Sequence, residues 1–157
     1  MDIADLEAEA ASLVFPRFAE DTALALGHLL VDMARAENLG VVINIRTADR
    51  TLFHAALPGS APLNELWVRR KSNTALKFQL PTLLVGARNR EKGETLARHG
   101  LPAEDFADNG GAVPIRVDGT GVVAVVTVSG LPQVEDHKLA VRAIKALIAC
   151  QMTPPRT

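Results

Sequence analysis

Glu135, Asp136 and His137 stand together where an apolar run, Val122 to Val128, passes through Ser129-Gly130-Leu131-Pro132 into a helical pattern. Two carboxylates and an imidazole at a strand–elbow–helix junction have the chemistry of an acid–base site. Helix electrostatics explains the same pattern, because acids complement the partial positive charge of a first helical turn. That field also favours the neutral form of His137. Adjacent helical residues point apart, so a carboxylate orienting His137 has to come from elsewhere in the fold. His54, in a strand-like segment, is the other candidate acid–base residue. No GxSxG or SxxK string accompanies either histidine, and Cys150 lies near the end of the last helix without a histidine beside it.

Trp67, Arg70, Lys71 and Thr74 recur at three- and four-residue spacing, so that Trp67, Arg70 (or Lys71) and Thr74 share a helical face. An aromatic surface beside cations and a hydroxyl suits a ligand bearing a carboxylate, such as haem or a small organic acid. Tryptophan and arginine are equally characteristic of subunit interfaces. Asn109-Gly110-Gly111 is a third candidate, since consecutive glycines let a ligand approach backbone N–H groups closely. A plain turn into a strand is the simpler account of it. It is no phosphate loop, and Gly119-Thr120-Gly121 does not satisfy the dinucleotide fingerprint. His28 and Asp32 have the spacing of a helical metal pair but lack a third ligand, and His54, His99 and His137 are scattered, so no metal site is expected.

These residues depend on a small number of elements. Ile3, Leu6, Ala10 and Leu13 predict a first helix ending near Pro16. Phe15, Phe18, Thr22, Leu26, Leu29 and Met33 predict a second helix closing at Asn38-Leu39-Gly40. Val41 to Arg46 and Thr51 to Leu57 read as a hairpin, with the register of His54 against Asn44 or Arg46 left open. Asn64 suits an N-cap for a helix running to about Phe78, and Leu80 to Ala97 reads as largely helical. Leu101 to Asp108 is a loop. Ala112 to Val117 is a strand that Pro114 places at an edge or at a strand start. Asp118 to Gly121 turns the chain into Val122 to Ser129, apolar on both faces and therefore central. A last helix offers Ala140, Val141, Ile144, Leu147 and Ile148 to the core.

Two hairpins separated by helices predict a mainly antiparallel sheet with helices packed on it. In such a sheet the start of one hairpin strand lies beside the end of its partner. Asn109 and His137 should therefore be neighbours, with Arg70 and Lys71 at the same end of the sheet, forming a pocket suited to anions.

The strings FHAALPGSAPLNELWVRRKSNTALKF (Phe53 to Phe78), NGGAVPI (Asn109 to Ile115) and GVVAVVTVSGLPQVEDHKLAV (Gly121 to Val141) resemble the haem-degrading-domain (HbpS-like) family. The likeness is to the branch long catalogued as an uncharacterised protein family, and it runs from about Leu6 to Leu147. It implies an α/β (α+β) profilin-like three-layer fold, a four- to five-stranded antiparallel sheet flanked by helices. It also implies assembly into dimers or higher oligomers, and haem binding in some relatives. In this branch the glycine motif usually begins with histidine, whereas here the position is Asn109. Haem binding is accordingly expected to be weak and not to use that position as iron ligand.

At 157 residues the chain suits one domain, with a core from about 6 to 149 and a loose tail from 151 to 157. A net charge of −1 gives no electrostatic reason to expect nucleic acid or an anionic membrane as partner, and the short basic clusters Arg69-Arg70-Lys71 and Arg88 to Lys92 read as solvated helix faces. No signal-peptide pattern opens the chain and no apolar run reaches the roughly 20 residues of a membrane span, so the expected location is the cytoplasm. The function this supports is an oligomeric small-ligand-binding protein, its ligand haem or a small carboxylate held near a sheet edge or subunit interface. The alternatives are an enzyme acting on such a ligand through His54 or His137, and a protein-interaction scaffold without a small ligand.

Overall fold

A computed structural model describes residues 1–154. The elements in chain order are α1 (Ile3–Ser12), β1 (Val14–Phe15), α2 (Glu20–Ala36), β2 (Val42–Arg46), β3 (Thr51–Ala56), α3 (Pro62–Phe78) and α4 (Thr82–Lys92). A short 3-10 turn, Leu96–His99, precedes β4 (Ala112–Val117), β5 (Gly121–Ser129) and α5 (Gln133–Met152). The five strands form one sheet in the order β1-β4-β5-β2-β3.

β5 is central because both its faces are apolar. Ala124, Val126 and Val128 join Ile43, Ile45, Val113 and Ile115 in the main core, where α2 and α5 contribute Leu26, Leu30, Ala140 and Ile144. On the other face Val125 packs with Ala75 of α3 and Ala112 of β4. Beside them the hydroxyls of Ser72 and Thr127 are 2.7 Å apart and satisfy each other in the dry layer. The result is three layers, helices on both sides of a sheet in which β4–β5, β5–β2 and β2–β3 are all antiparallel. From Ala124 to Val128 the apolar residues of β5 are therefore buried on both faces.

Several sequence expectations are corrected here. Phe15 and Phe18 do not begin the second helix. Val14 and Phe15 instead pair in parallel with Arg116 and Val117, and α2 starts at Glu20 behind Ala19, whose N–H donates to Thr22 Oγ1 at 3.1 Å. The aromatic spacing had reproduced a helical period by chance. Asn64 is not the N-cap of α3. Pro62 occupies the first turn, where its missing N–H costs nothing, and Asn64 Oδ1 accepts the Ala61 N–H at 2.8 Å. Leu80 to Ala97 is broken by Gly93, which takes the left-handed conformation (φ 66°) that closes α4. β4 lies inside the sheet, but Pro114 falls outside the stretch that β1 covers. At the C-terminus α5 continues through Met152, so residues 151 and 152 of the expected tail are helical, and 155–157 lie outside the described residues. Among the described residues no helix is long and apolar enough to cross a membrane.

Candidate functional site

α3 crosses the sheet so that Lys71 points inward against the ends of β4 and β5. Its ammonium donates to Val128 O at 2.6 Å, to Gly110 O at 3.0 Å and to Asp136 Oδ2 at 3.3 Å. Asp136, in the first turn of α5, also accepts the Leu131 N–H through Oδ1 at 2.9 Å. The two side chains are only 2% and 4% exposed. Burial pushes the Lys71 ammonium below its ordinary pKa and the Asp136 carboxyl above its own, and each partner opposes the shift in the other. Lys71 therefore does not belong to a solvated basic face, and its three N–H donors are all used inside the protein. It is a clamp that joins α3, the glycine turn and the start of α5.

The glycine turn is shaped by that clamp. Gly111 has φ 134°, and a Cβ there would fall 2.4 Å from both Lys71 Nζ and Val128 O. No other residue type fits that space. Gly110 donates its N–H to Gln133 Oε1 at 2.9 Å, so this N–H is not free for an anion. Above the clamp opens a mouth of about 240 Å³ lined by Asn64, Trp67, Asn109, Ser129 and Gln133, among others. Lys71, Gly110 and Asp136 form its floor.

Trp67 and Arg70 lie on the outer side of α3. The guanidinium of Arg70 sits over the Trp67 ring, 4.6 Å from its centroid, and its Nε donates to Ala103 O at 2.8 Å. No carboxylate pairs with Arg70 among the described residues, and its terminal nitrogens stay unengaged by protein. Arg70 lines a neighbouring cavity of about 370 Å³ under the loop 101–108 and not the mouth itself, and Asn109 lines both and stands between them. Thr74 faces inward. It donates to Arg70 O and accepts the Ala107 N–H, both at 3.1 Å, fastening the loop to α3.

Neither candidate histidine reaches this mouth. His137 is fully buried on the far side of α5 and donates from Nε2 to Glu9 Oε1 at 2.6 Å, while its Nδ1 is buried without a partner. Glu9 is the orienting carboxylate, supplied by α1. Burial lowers the His137 pKa, an effect that the Glu9 bond opposes. The register left open in the sequence is settled, for His54 pairs with Asn44 across β2–β3. Asn44 Nδ2 donates to His54 Nδ1 at 3.0 Å, so the ring proton sits on Nε2 and points to Glu65 Oε1, also at 3.0 Å. That relay, buried at Asn44 and exposed at His54 and Glu65, lines no part of the mouth. Among the described residues no group of three His, Cys, Asp or Glu is arranged to hold a metal ion.

Sequence reasoning missed Ser129 and Gln133 as lining residues, and read Asn64 only as a cap. The signal for Gln133 was its place one residue after Pro132, at the first position of α5. Glu9 carried no signal, being 128 positions from His137.

Residues 18–145 match the family described as Haem degrading protein HbpS-like. A UPF0303 protein of Streptomyces coelicolor is 48% identical over 147 residues, 93% of each chain. The solved structure of the Ybr137w protein is 27% identical, with a TM-score of 0.87 over 99% of this chain and 91% of that one. A structure described as a PduOC:haem complex shares the fold, with a TM-score of 0.70 at 20% identity over 82% of this chain and 94% of the other.

Proposed function

The chain belongs to the HbpS-like haem-degrading family, within its UPF0303 relatives, and on that premise we propose that it binds a small carboxylate-bearing molecule where the mouth adjoins the neighbouring cavity, at Trp67, Asn109 and Arg70. The observation that carries this reading is the guanidinium of Arg70, held over the Trp67 ring with no carboxylate partner and lining the same cavity as the exposed Asn109. A guanidinium held by a cation–π contact and one backbone bond keeps a donor pair free for a ligand carboxylate, and bidentate pairing is where arginine gains over lysine. Trp67 offers an apolar wall to the ligand body, and Asn64, Ser129 and Gln133 offer polar groups that fix its orientation. Lys71 contributes by holding the floor in place.

Haem fits this mouth poorly. A volume of about 240 Å³ falls below the ~300–1,000 Å³ usual for ligand pockets, and none of the lining residues is His, Cys, Met or Tyr, the usual axial ligands of haem iron. Asn109, which lines the mouth, offers an amide and no imidazole or sulfur for iron. Self-association belongs to the same reading. Leu63 and Leu66 are 61% and 53% exposed one turn before and beside Trp67, an apolar strip that a second copy of the chain would cover.

Calorimetric titration with benzoate and with benzamide tests the site. Benzoate should bind saturably, benzamide at least about tenfold more weakly, and Arg70→Gln should remove the difference. Equal affinities for the two compounds in the unaltered protein would overturn the reading.

A further inference from the structure

β1 is only two residues long and covers β4 only at Arg116 and Val117. The edge of β4 upstream of that contact faces a cavity of about 300 Å³ between α1, α4 and the α3–α4 connection. Leu13, Leu80, Leu84 and Val113 give it an apolar lining, and Arg88 and Arg116 lie at its polar part. This place is separate from the Trp67–Arg70 mouth and shares no lining residue with it.

The charges at this cavity do not cancel. Arg88 donates to Glu7 Oε1 at 3.2 Å, and these two neutralise each other. Arg116 pairs with no carboxylate among the described residues. Its one side-chain hydrogen bond among the described residues is a long one, 3.5 Å, from Nη2 to the carbonyl of Gln79, which also lines the cavity. One half-buried guanidinium at the rim of an aliphatic slot is complementary to a molecule with one carboxylate and a short apolar tail. A phosphate or dicarboxylate would bring more charge than the single unpaired arginine balances. The volume, roughly that of ten waters at ~30 Å³ each, has room for a short-chain acid.

We infer that this edge cavity is a second binding site, for a short-chain aliphatic carboxylate, with Arg116 taking the carboxylate and Leu13, Leu80, Leu84 and Val113 taking the tail. The site does not rest on the Trp67–Arg70 reading.

Hexanoate and 1-hexanol, titrated into the full chain by calorimetry, test it. Hexanoate should bind saturably and hexanol at least about tenfold more weakly. Arg116→Gln should weaken hexanoate by a similar factor, and Arg116→Lys should retain most of the binding. Ala11→Trp, placed at an exposed position on the cavity wall, should block it. Titrated in an Arg70→Gln background, which removes the carboxylate donor beside Trp67, hexanoate should still bind saturably and Arg116→Gln should still weaken it, which separates this site from the mouth. Absence of saturable binding at millimolar hexanoate overturns the proposal, and so does an affinity that Arg116→Gln does not alter. Should Arg116→Gln fail to fold, the comparison of acid with alcohol in the Arg70→Gln protein decides alone, equal affinities refuting the role of Arg116.

Discussion

Lys71 and Asp136, 65 positions apart in the chain, form an ion pair at 3.3 Å that is almost sealed from solvent, and the same ammonium holds the carbonyls of Gly110 and Val128. Removing one member strands the other. Lys71→Met should cost about 3–5 kcal/mol of unfolding free energy, because a buried carboxylate and two buried carbonyls lose their donor. The double variant Lys71→Met/Asp136→Asn should recover part of that loss, since no uncompensated charge remains. Urea unfolding followed by circular dichroism measures both. A loss below about 1 kcal/mol for Lys71→Met would mean that the clamp contributes little.

Gly111→Ala should destabilise the fold by about 2–4 kcal/mol, from a left-handed backbone and from overpacking. Its Cβ would meet Lys71 Nζ and Val128 O, neither of which has room to move. Ala substituted at Gly119, where nothing lies within 4 Å, is the control, since it carries the positive-φ cost without the clash. The check is the difference in denaturation midpoint between the two variants.

The His137 pKa lies below its ordinary 6.5 in the folded protein, with burial as the main cause and Glu9 in opposition. Lys145 and Lys138 add to the lowering. In the window between the folded value and 6.5 the unfolded chain binds more protons than the native one. Stability therefore rises with pH across that window and falls on acidification from about 6.5 downward. The unpartnered Nδ1 acts in the same direction, because a proton placed there would be a buried donor with no acceptor. Unfolding free energy measured from pH 7.5 to 5 should slope downward in the unaltered protein and less steeply in His137→Phe. Parallel slopes would assign the acid sensitivity to other groups.

Self-association through the strip containing Leu66 should be visible by sedimentation at micromolar concentration as a species at least twice the monomer mass. Leu66→Glu should shift it toward monomer, since a charge at the centre of an apolar contact is costly to desolvate. A monomeric unaltered protein would remove this part of the reading.

Sheet and site were legible to different degrees in the sequence. The unbroken run Val122 to Val128 identified the central strand because only a strand covered on both faces tolerates it. The hairpin rule likewise brought the glycine turn to the start of α5, where Gly110 meets Gln133. β1 was illegible, because two residues carry no period and Phe15 and Phe18 fit a helical spacing. The direction of Lys71 was hidden by its basic neighbours. Arg69 and Arg70 do reach outward to the loop 101–108, whereas Lys71, next in the chain, turns through the helix to the floor of the mouth. Glu9 could not be assigned to His137 from the sequence, because nothing local couples α1 to α5.

Trp67 is the only tryptophan of the chain, so its emission reports directly on the mouth. Titration with benzoate should change that emission saturably, with the same midpoint as the calorimetric curve, and Arg70→Gln should shift the midpoint at least about tenfold upward while Trp67 stays in place. An emission that benzoate leaves unchanged, or a midpoint that Arg70→Gln does not move, would contradict the assignment of Trp67 and Arg70 as the carboxylate site.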